Sequence, residues 1–317
     1  VSNSIGVDVG GTKIAAGVVD QKGDIVARTR RDTPSQDVSG IVGAIIDVTR
    51  ELAAEHEIGV VGVGSAGFVD AGRSRVMFAP NLAWRDLDLR DRVEDATGLP
   101  VVVENDANSA AWGEFRFGAA SDVEDMVLLT IGTGVGGAVV KDGALYRGAN
   151  GIAGELGHLR MVPDGQLCGC GLRGCLEAYA SGTALVRNAQ SAATSAAVTF
   201  SGSAERLLEM AAGDPGNITG PMVTAAANDG DELARELIAD LGRWLGEAMG
   251  SLIAVFDPAT FVLGGGVAEA GDMLLEPTNE AMRRSVTGGA HRPHATVRFA
   301  TLGNDAGIVG AADLARL

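Results

Sequence analysis

The residues with the most chemistry to offer lie between Glu104 and Glu177 of a 317-residue chain. Glu104-Asn105-Asp106 opens the stretch and Gly132-Thr133-Gly134-Val135-Gly136-Gly137 follows. Gly154-Glu155-Leu156-Gly157-His158 then precedes Cys168-Gly169-Cys170 and Gly174-Cys175-Leu176-Glu177. Carboxylates accept hydrogen bonds from hydroxyls, amides and imidazoles donate them, and glycine turns offer backbone N–H groups to phosphate oxygens. Such a set is equipped to act on a polyol and a phosphate. All three cysteines fall between positions 168 and 175. With His158 they make a Cys3His set of His158, Cys168, Cys170 and Cys175, which suits tetrahedral Zn2+. Four protein ligands leave no open position for an activated water, so the expected metal is structural. It would brace the imidazole so that its other ring nitrogen faces a substrate oxygen. Three free thiols, or one disulfide with a thiol left over, are the alternatives.

Each candidate needs an element to hold it. Val101 to Val103 reads as a buried strand delivering Glu104-Asn105-Asp106 at its end, with a helix over Ala107 to Phe115. A carboxylate at that junction could take a proton from a hydroxyl, or could cap the helix. Ile5 to Val9 reads as a strand, Gly10-Gly11-Thr12-Lys13 as a turn, and Ile14 to Asp20 as the returning strand. The turn presents N–H groups, a hydroxyl and a lysine to phosphate oxygens, or is a plain tight turn. No helix follows Lys13, so this is not a Gly-x-x-x-x-Gly-Lys loop. Asp8 is a carboxylate within an apolar strand, costly to bury unless paired or near a cation. It reads as a magnesium or phosphate-site residue, or as a capping or hydrogen-bonding one. Met126 to Ile131, the second glycine segment and Ala138 to Val140 repeat the strand–turn–strand pattern, again with no helix after the glycines. Glu155 and His158, three apart, would share one side of a helical turn. Gly67, after the Val60 to Val63 strand, could offer its backbone to a substrate or simply turn the chain.

The remaining elements frame these. Apolar residues at helical spacing predict helices over Asp37 to Glu57 and Asp231 to Phe256, and another covers Leu87 to Thr97, stopped by Gly98-Leu99-Pro100. Phe68 to Gly72 reads as a hairpin. Thr260 to Leu263 reads as a strand leading into Gly264-Gly265-Gly266 and a helix, whose amides could meet a nucleotide's phosphate or ribose or form a turn without ligand. Val297 to Ala300 is a last strand and Ala306 to Leu317 a last helix. Gly182 to Gly220 carries no usable motif and reads as helix and variable loop. With 46% apolar residues and 46 glycines, an α/β protein of two domains or one large unit is expected. A net charge of −16 counts against nucleic-acid binding. No apolar run approaches eighteen residues and the chain enters its first strand without a signal core, so a cytoplasmic enzyme is expected.

Together these segments resemble the ROK family of bacterial sugar kinases and sugar-responsive repressors, most closely its zinc-containing glucokinases. The carriers are Asp8-Val9-Gly10-Gly11-Thr12-Lys13, Glu104-Asn105-Asp106-Ala107-Asn108, the second glycine segment, Gly154 to His158, Cys168 to Glu177 and Leu263-Gly264-Gly265-Gly266. The resemblance implies an actin-like, hexokinase-like ATPase fold of two α/β domains closing over a cleft. A small domain would span residues 1–105, with a C-terminal helix of about 304–317 packing back on it, and a large domain with the zinc site would span 106–303. It implies Asp106 as catalytic base and Asn105, Asp106, Glu155, His158 and Glu177 as sugar ligands, with Gly67 beside them. Asp8, Gly10, Gly11, Thr12, Lys13, Thr133, Gly134, Gly265 and Gly266 would serve ATP and Mg2+. The implied reaction is ATP-dependent phosphorylation of glucose at its 6-hydroxyl, in a homo-oligomer, dimer or tetramer. A kinase for N-acetylmannosamine, fructose or allose, or a sugar sensor without turnover, is the alternative. With the first strand at about Ile5, the repressors' DNA-binding helix-turn-helix is not expected.

Overall fold

The computed structural model describes residues 3–79, 82–199 and 202–317. Strand β1 (Asn3–Val9) turns at Gly10 into the antiparallel β2 (Lys13–Val19), setting Ile5 opposite Val18 and Asp8 opposite Ala15. Beyond β2 lies β3 (Ile25–Asp32), whose exposed Arg28, Arg30 and Arg31 discourage pairing at this edge. Helix α1 (Val38–Glu55) is capped by the Asp37 carboxylate, which accepts from the Ser39 N–H at 3.0 Å, and buries Ile41, Val42, Ile45, Val48 and Leu52 as their spacing requires. Strand β4 (Ile58–Ser65) runs parallel to β1. A small antiparallel sheet follows, of β5 (Phe68–Val69), β6 (Arg75–Phe78) and β7 (Arg85–Asp88). Helix α2 (Leu89–Thr97) starts two residues later than its spacing predicts, because Leu87 and Asp88 pair with Val76 and Arg75 on β6. Strand β8 (Val101–Asn105) then lies parallel to β4 and leads directly into α3 (Asp106–Phe117). The first sheet has the order β3-β2-β1-β4-β8.

The second half begins with β9 (Met126–Ile131), β10 (Val135–Lys141) and the short β11 (Ala144–Leu145). Helices α4 (Glu177–Ala180), α5 (Gly182–Thr199), α6 (Glu205–Met210), α7 (Gly220–Asn228) and α8 (Glu232–Phe256) follow. Phe200 and Ser201, within the stretch expected as helix and loop, lie outside the described residues. Strand β12 (Thr260–Gly264), helix α9 (Asp272–Ser285), strand β13 (Thr296–Phe299) and helix α10 (Ala306–Leu314) complete the chain. The second sheet has the order β11-β10-β9-β12-β13.

The chain divides into two compact units, one of Val1–Leu128, Gly137–Glu155 and Ala300–Leu317, the other of Leu129–Gly136 and Leu156–Phe299. In the first, α10 packs on the β1–β4 face so closely that a Cβ on Gly6 or Gly62 would overlap the carbonyls of Ile308 or Ala311. The Ser4 hydroxyl donates to the Ala312 carbonyl at 2.9 Å, and Trp112 Nε1 donates to Asp313 Oδ2 at 2.8 Å. In the second, Gly246 of α8 lies against the Thr278 carbonyl of α9, and the two helices form much of that core. Among the described residues no helix is long and apolar enough to cross a membrane.

Candidate active site

In the first unit, the parallel register of β1, β4 and β8 aligns Asp8 with Gly64 and Gly64 with Glu104, then Val9 with Ser65 and Ser65 with Asn105. Asp8 and the Asn105-Asp106 pair therefore share the carboxyl edge of one sheet, where ligands of α/β sheets bind. Asn105 is the N-cap of α3: its Oδ1 accepts from the Asn108 N–H at 3.0 Å. The cap is thus the Asn105 amide and not the Asp106 carboxylate, and Nδ2 also donates to the Gly67 carbonyl at 3.0 Å. Gly67 has φ 106°, and a side chain there would meet Phe78 and Ala79, so only glycine allows the contact that holds Asn105.

Asp106 opens α3, with its Oδ1 accepting from the Ala107 N–H at 2.9 Å. Burial raises its carboxyl above the usual carboxylate range, against the Ala107, Asp106 and Asn105 hydrogen bonds that lower it. Burial, with the Asp106 charge adding to it, also pushes the Asp8 carboxyl up to about 7. A buried carboxylate whose proton affinity a neighbouring charge raises further is the kind of donor a hard dication neutralises, so Asp8 fits Mg2+. Gly10, Gly11, Thr12 and Lys13 form the turn beside Asp8. Gly10 N–H donates to the Lys13 carbonyl at 3.0 Å, and the exposed Thr12 and Lys13 side chains are open to a ligand. Glu155 is exposed, and the helical turn expected there is a 3-10 turn over Leu156–His158 that begins directly after it.

In the second unit the donor atoms of His158, Cys168, Cys170 and Cys175 all lie within 4.8 Å of one another. His158 Nδ1 is 3.7 Å from Cys168 Sγ, and Cys170 Sγ is 3.7 Å from Cys175 Sγ. The bond lengths of a tetrahedral zinc site give edges of about 3.5–3.8 Å, so the four residues fit Zn2+. Binding through Nδ1 would leave Nε2 of His158 for a ligand. Burial pushes the Cys168 and Cys175 thiols up, so without a cation they would stay protonated. Glu177 links this cluster to the glycine turn after β9: its Oε1 lies 3.3 Å from Cys168 Sγ and its Oε2 accepts from the Val135 N–H at 3.1 Å. A Cβ on Gly134 would overlap Glu177 Oε2, which is why this turn needs glycine there.

The same unit contains a cavity of about 810 Å3, lined among others by Thr133, Gly182, Thr183, Gly220, Pro221 and Gly266. Gly265, with φ 84°, sits against the backbone of Ile131 and presents Gly266 to that cavity. The N-terminus of α5 is tied to the glycine turn by Gly182 N–H donating to the Gly132 carbonyl at 2.7 Å and Thr183 Oγ1 to the Thr133 carbonyl at 2.6 Å. Helix N-termini and glycine turns are good hosts for phosphate.

The sequence signature of the ROK family spans residues 4–317. Glucokinase of Streptomyces coelicolor is 48% identical over 313 residues, 99% of this chain and 97% of that protein. The chain belongs to the ROK family. Among solved ROK structures, a glucokinase from Streptomyces griseus in complex with glucose and AMPPNP matches with a TM-score of 0.89 at 48% identity, covering 99% of each chain. An N-acetylmannosamine kinase from Citrobacter koseri is 33% identical over 322 residues, 99% of this chain and 99% of that protein. The ROK chain accordingly has the mixed α/β, actin-like and hexokinase-like fold of those glucokinase structures. The sequence reading left the Gly182 to Gly220 stretch without a role, yet both its ends line the cavity. Signals were present: Ser181 accepts from the Ala184 N–H at 3.0 Å as a cap, and Thr219-Gly220-Pro221 carries the threonine cap position and early proline of a helix start.

Proposed function

We propose that this ROK protein is a glucokinase that transfers the γ-phosphoryl group of ATP to the 6-hydroxyl of glucose. The observation that carries this is the match over 99% of both chains to a ROK glucokinase whose structure contains glucose and AMPPNP. Asp106 takes the hydroxyl proton as the sugar oxygen forms its bond to the γ-phosphorus in line with the departing ADP oxygen. Its raised proton affinity makes it a better proton acceptor than an ordinary carboxylate. Asn105, Glu155, His158 and Glu177 hold ring hydroxyls, the carboxylates accepting and the amide and imidazole donating. The turns at Gly10 to Lys13 and at Thr133-Gly134 offer amides to the phosphates, while Gly265, Gly266 and the cavity take the nucleoside. Asp8 would hold Mg2+, which when bound offsets phosphate charge. His158, Cys168, Cys170 and Cys175 would hold structural Zn2+.

We further take the protein to be cytoplasmic, since clustered thiols of this kind serve metals where disulfides do not persist. It is taken as a homo-oligomer, dimer or tetramer, with the two compact units as its domains. Glucose with ATP, coupled to a glucose-6-phosphate dehydrogenase, tests the function directly. The N-acetylmannosamine kinase at 33% identity makes that sugar the second reading. ATP-dependent phosphate transfer to N-acetylmannosamine in preference to glucose would decide for it.

A further inference from the structure

The residue two positions before the proposed base has no part in the chemistry above, yet it is among the most enclosed charges of the first unit. The Glu104 side chain is 1% exposed. Its Oε1 accepts from the Asn105 N–H at 2.9 Å and from Asn108 Nδ2 at 3.0 Å, so this oxygen is tied to the first turn of α3. Its Oε2 lies 2.8 Å from Arg147 Nε and 3.3 Å from Arg73 Nε. Arg147, itself 16% exposed, donates through Nη2 to the Asp70 carbonyl at 2.9 Å and through Nη1 to the Ala71 carbonyl at 3.1 Å. One guanidinium thus spans from the end of β8 to the turn after β5.

Arg147 begins the loop that ends at Glu155. Ala153 N–H donates to the Arg147 carbonyl at 3.1 Å, closing that loop on itself. Gly151, with φ 84°, lies so close to the Val69 carbonyl and the Asp70 backbone that any side chain would strike them. The loop is therefore laid on the same turn that receives the Arg147 fork. Ion pairs at this burial are a weak source of stability, since desolvation cancels most of their attraction. What the guanidinium does supply is direction, since its two Nη groups are hydrogen-bonded to two carbonyls while its Nε faces the Glu104 charge.

We propose that the Glu104–Arg147 pair positions the sugar end of the reaction, fixing the loop that carries Glu155 against the strand end that carries Asn105 and Asp106. The inference rests on the glucokinase reading, which gives those three residues one ligand to meet. Glu104 and Arg147 are positioning residues and touch no reacting atom.

The test is steady-state kinetics on the full chain, with glucose and ATP varied separately, for the wild type, Glu104→Gln, Arg147→Met, Arg147→Lys and the double variant Glu104→Gln/Arg147→Met. Glu104→Gln keeps the shape and loses the charge. The KM for glucose is expected to rise about 10-fold in Arg147→Met while the KM for ATP stays within about two-fold. Arg147→Lys, which keeps the charge without the fork, should fall between Arg147→Met and the wild type. The double variant should be no worse than Arg147→Met, because both changes break one contact. If Arg147→Met does not fold, Glu104→Gln and Arg147→Lys provide the same comparison. An unchanged glucose KM in the folded variants, or an equal rise in both KM values, overturns the positioning role while leaving an active wild type intact. A wild type inactive toward glucose removes the reading beneath it.

Discussion

Asp8 and Gly134 show how much single residues are asked to do. The folded-state value of about 7 for Asp8 stands above the ordinary 3.8. The native state therefore holds a proton that the unfolded chain has lost between those values. That contribution is fully present below the unfolded value and is lost as pH rises through about 7. With divalent metal removed, Asp8→Asn should flatten the fall in Tm between about pH 4 and 7, read by thermal denaturation at a series of pH values. An unchanged slope would remove Asp8 as its origin. Gly134 makes a complementary prediction. Alanine there would drive its Cβ into Glu177 Oε2, so the carboxylate must move off the Val135 N–H. The glucose KM should rise about 10-fold with the zinc content intact, measured by kinetics beside elemental analysis. A normal KM would separate Glu177 from sugar binding.

At the level of elements, the zinc loop is held by short-range contacts and by its four donors. Leu176 N–H donates to the Leu159 carbonyl at 2.8 Å and Met161 N–H to the Gly174 carbonyl at 2.7 Å, bringing the His158 and Cys175 segments side by side. Cys168→Ser should release the zinc, lower the Tm and weaken glucose binding together, because His158 and Glu177 both touch Cys168. Retained metal at one ion per chain would count against Cys168 as a ligand. Elements with a strong local signal were legible in the sequence: the α1 stripe, the Asp8–Val19 hairpin, the strand ending in Asn105-Asp106 and the clustered donors. Others were hidden because their cause is distant. Leu87 has the spacing of a helix residue, yet pairs with Val76 on a neighbouring strand. The α5 and α7 starts became visible as part of a cavity only once Thr183 had met the Thr133 carbonyl, fifty positions away. Glu104 read as one more carboxylate until Arg73 and Arg147 arrived from elsewhere in the chain.

For the whole molecule, fold does not select the sugar. Chains similar to this one include both glucokinases and N-acetylmannosamine kinases, so discrimination must rest on side chains placed on a shared framework. The acidic surface, at a net charge of −16, is an unfavourable one for nucleic acid and leaves recognition to small sites. Among those sites the decisive one is the carboxylate at the start of α3. Turnover of glucose by Asp106→Ala against the wild type, in the coupled ATP assay with glucose binding followed by calorimetry, is the most direct test. A fall in kcat of about 100-fold or more in a folded variant with intact metal is expected. Turnover close to wild type in that variant would contradict Asp106 as the base and with it the proposed mechanism.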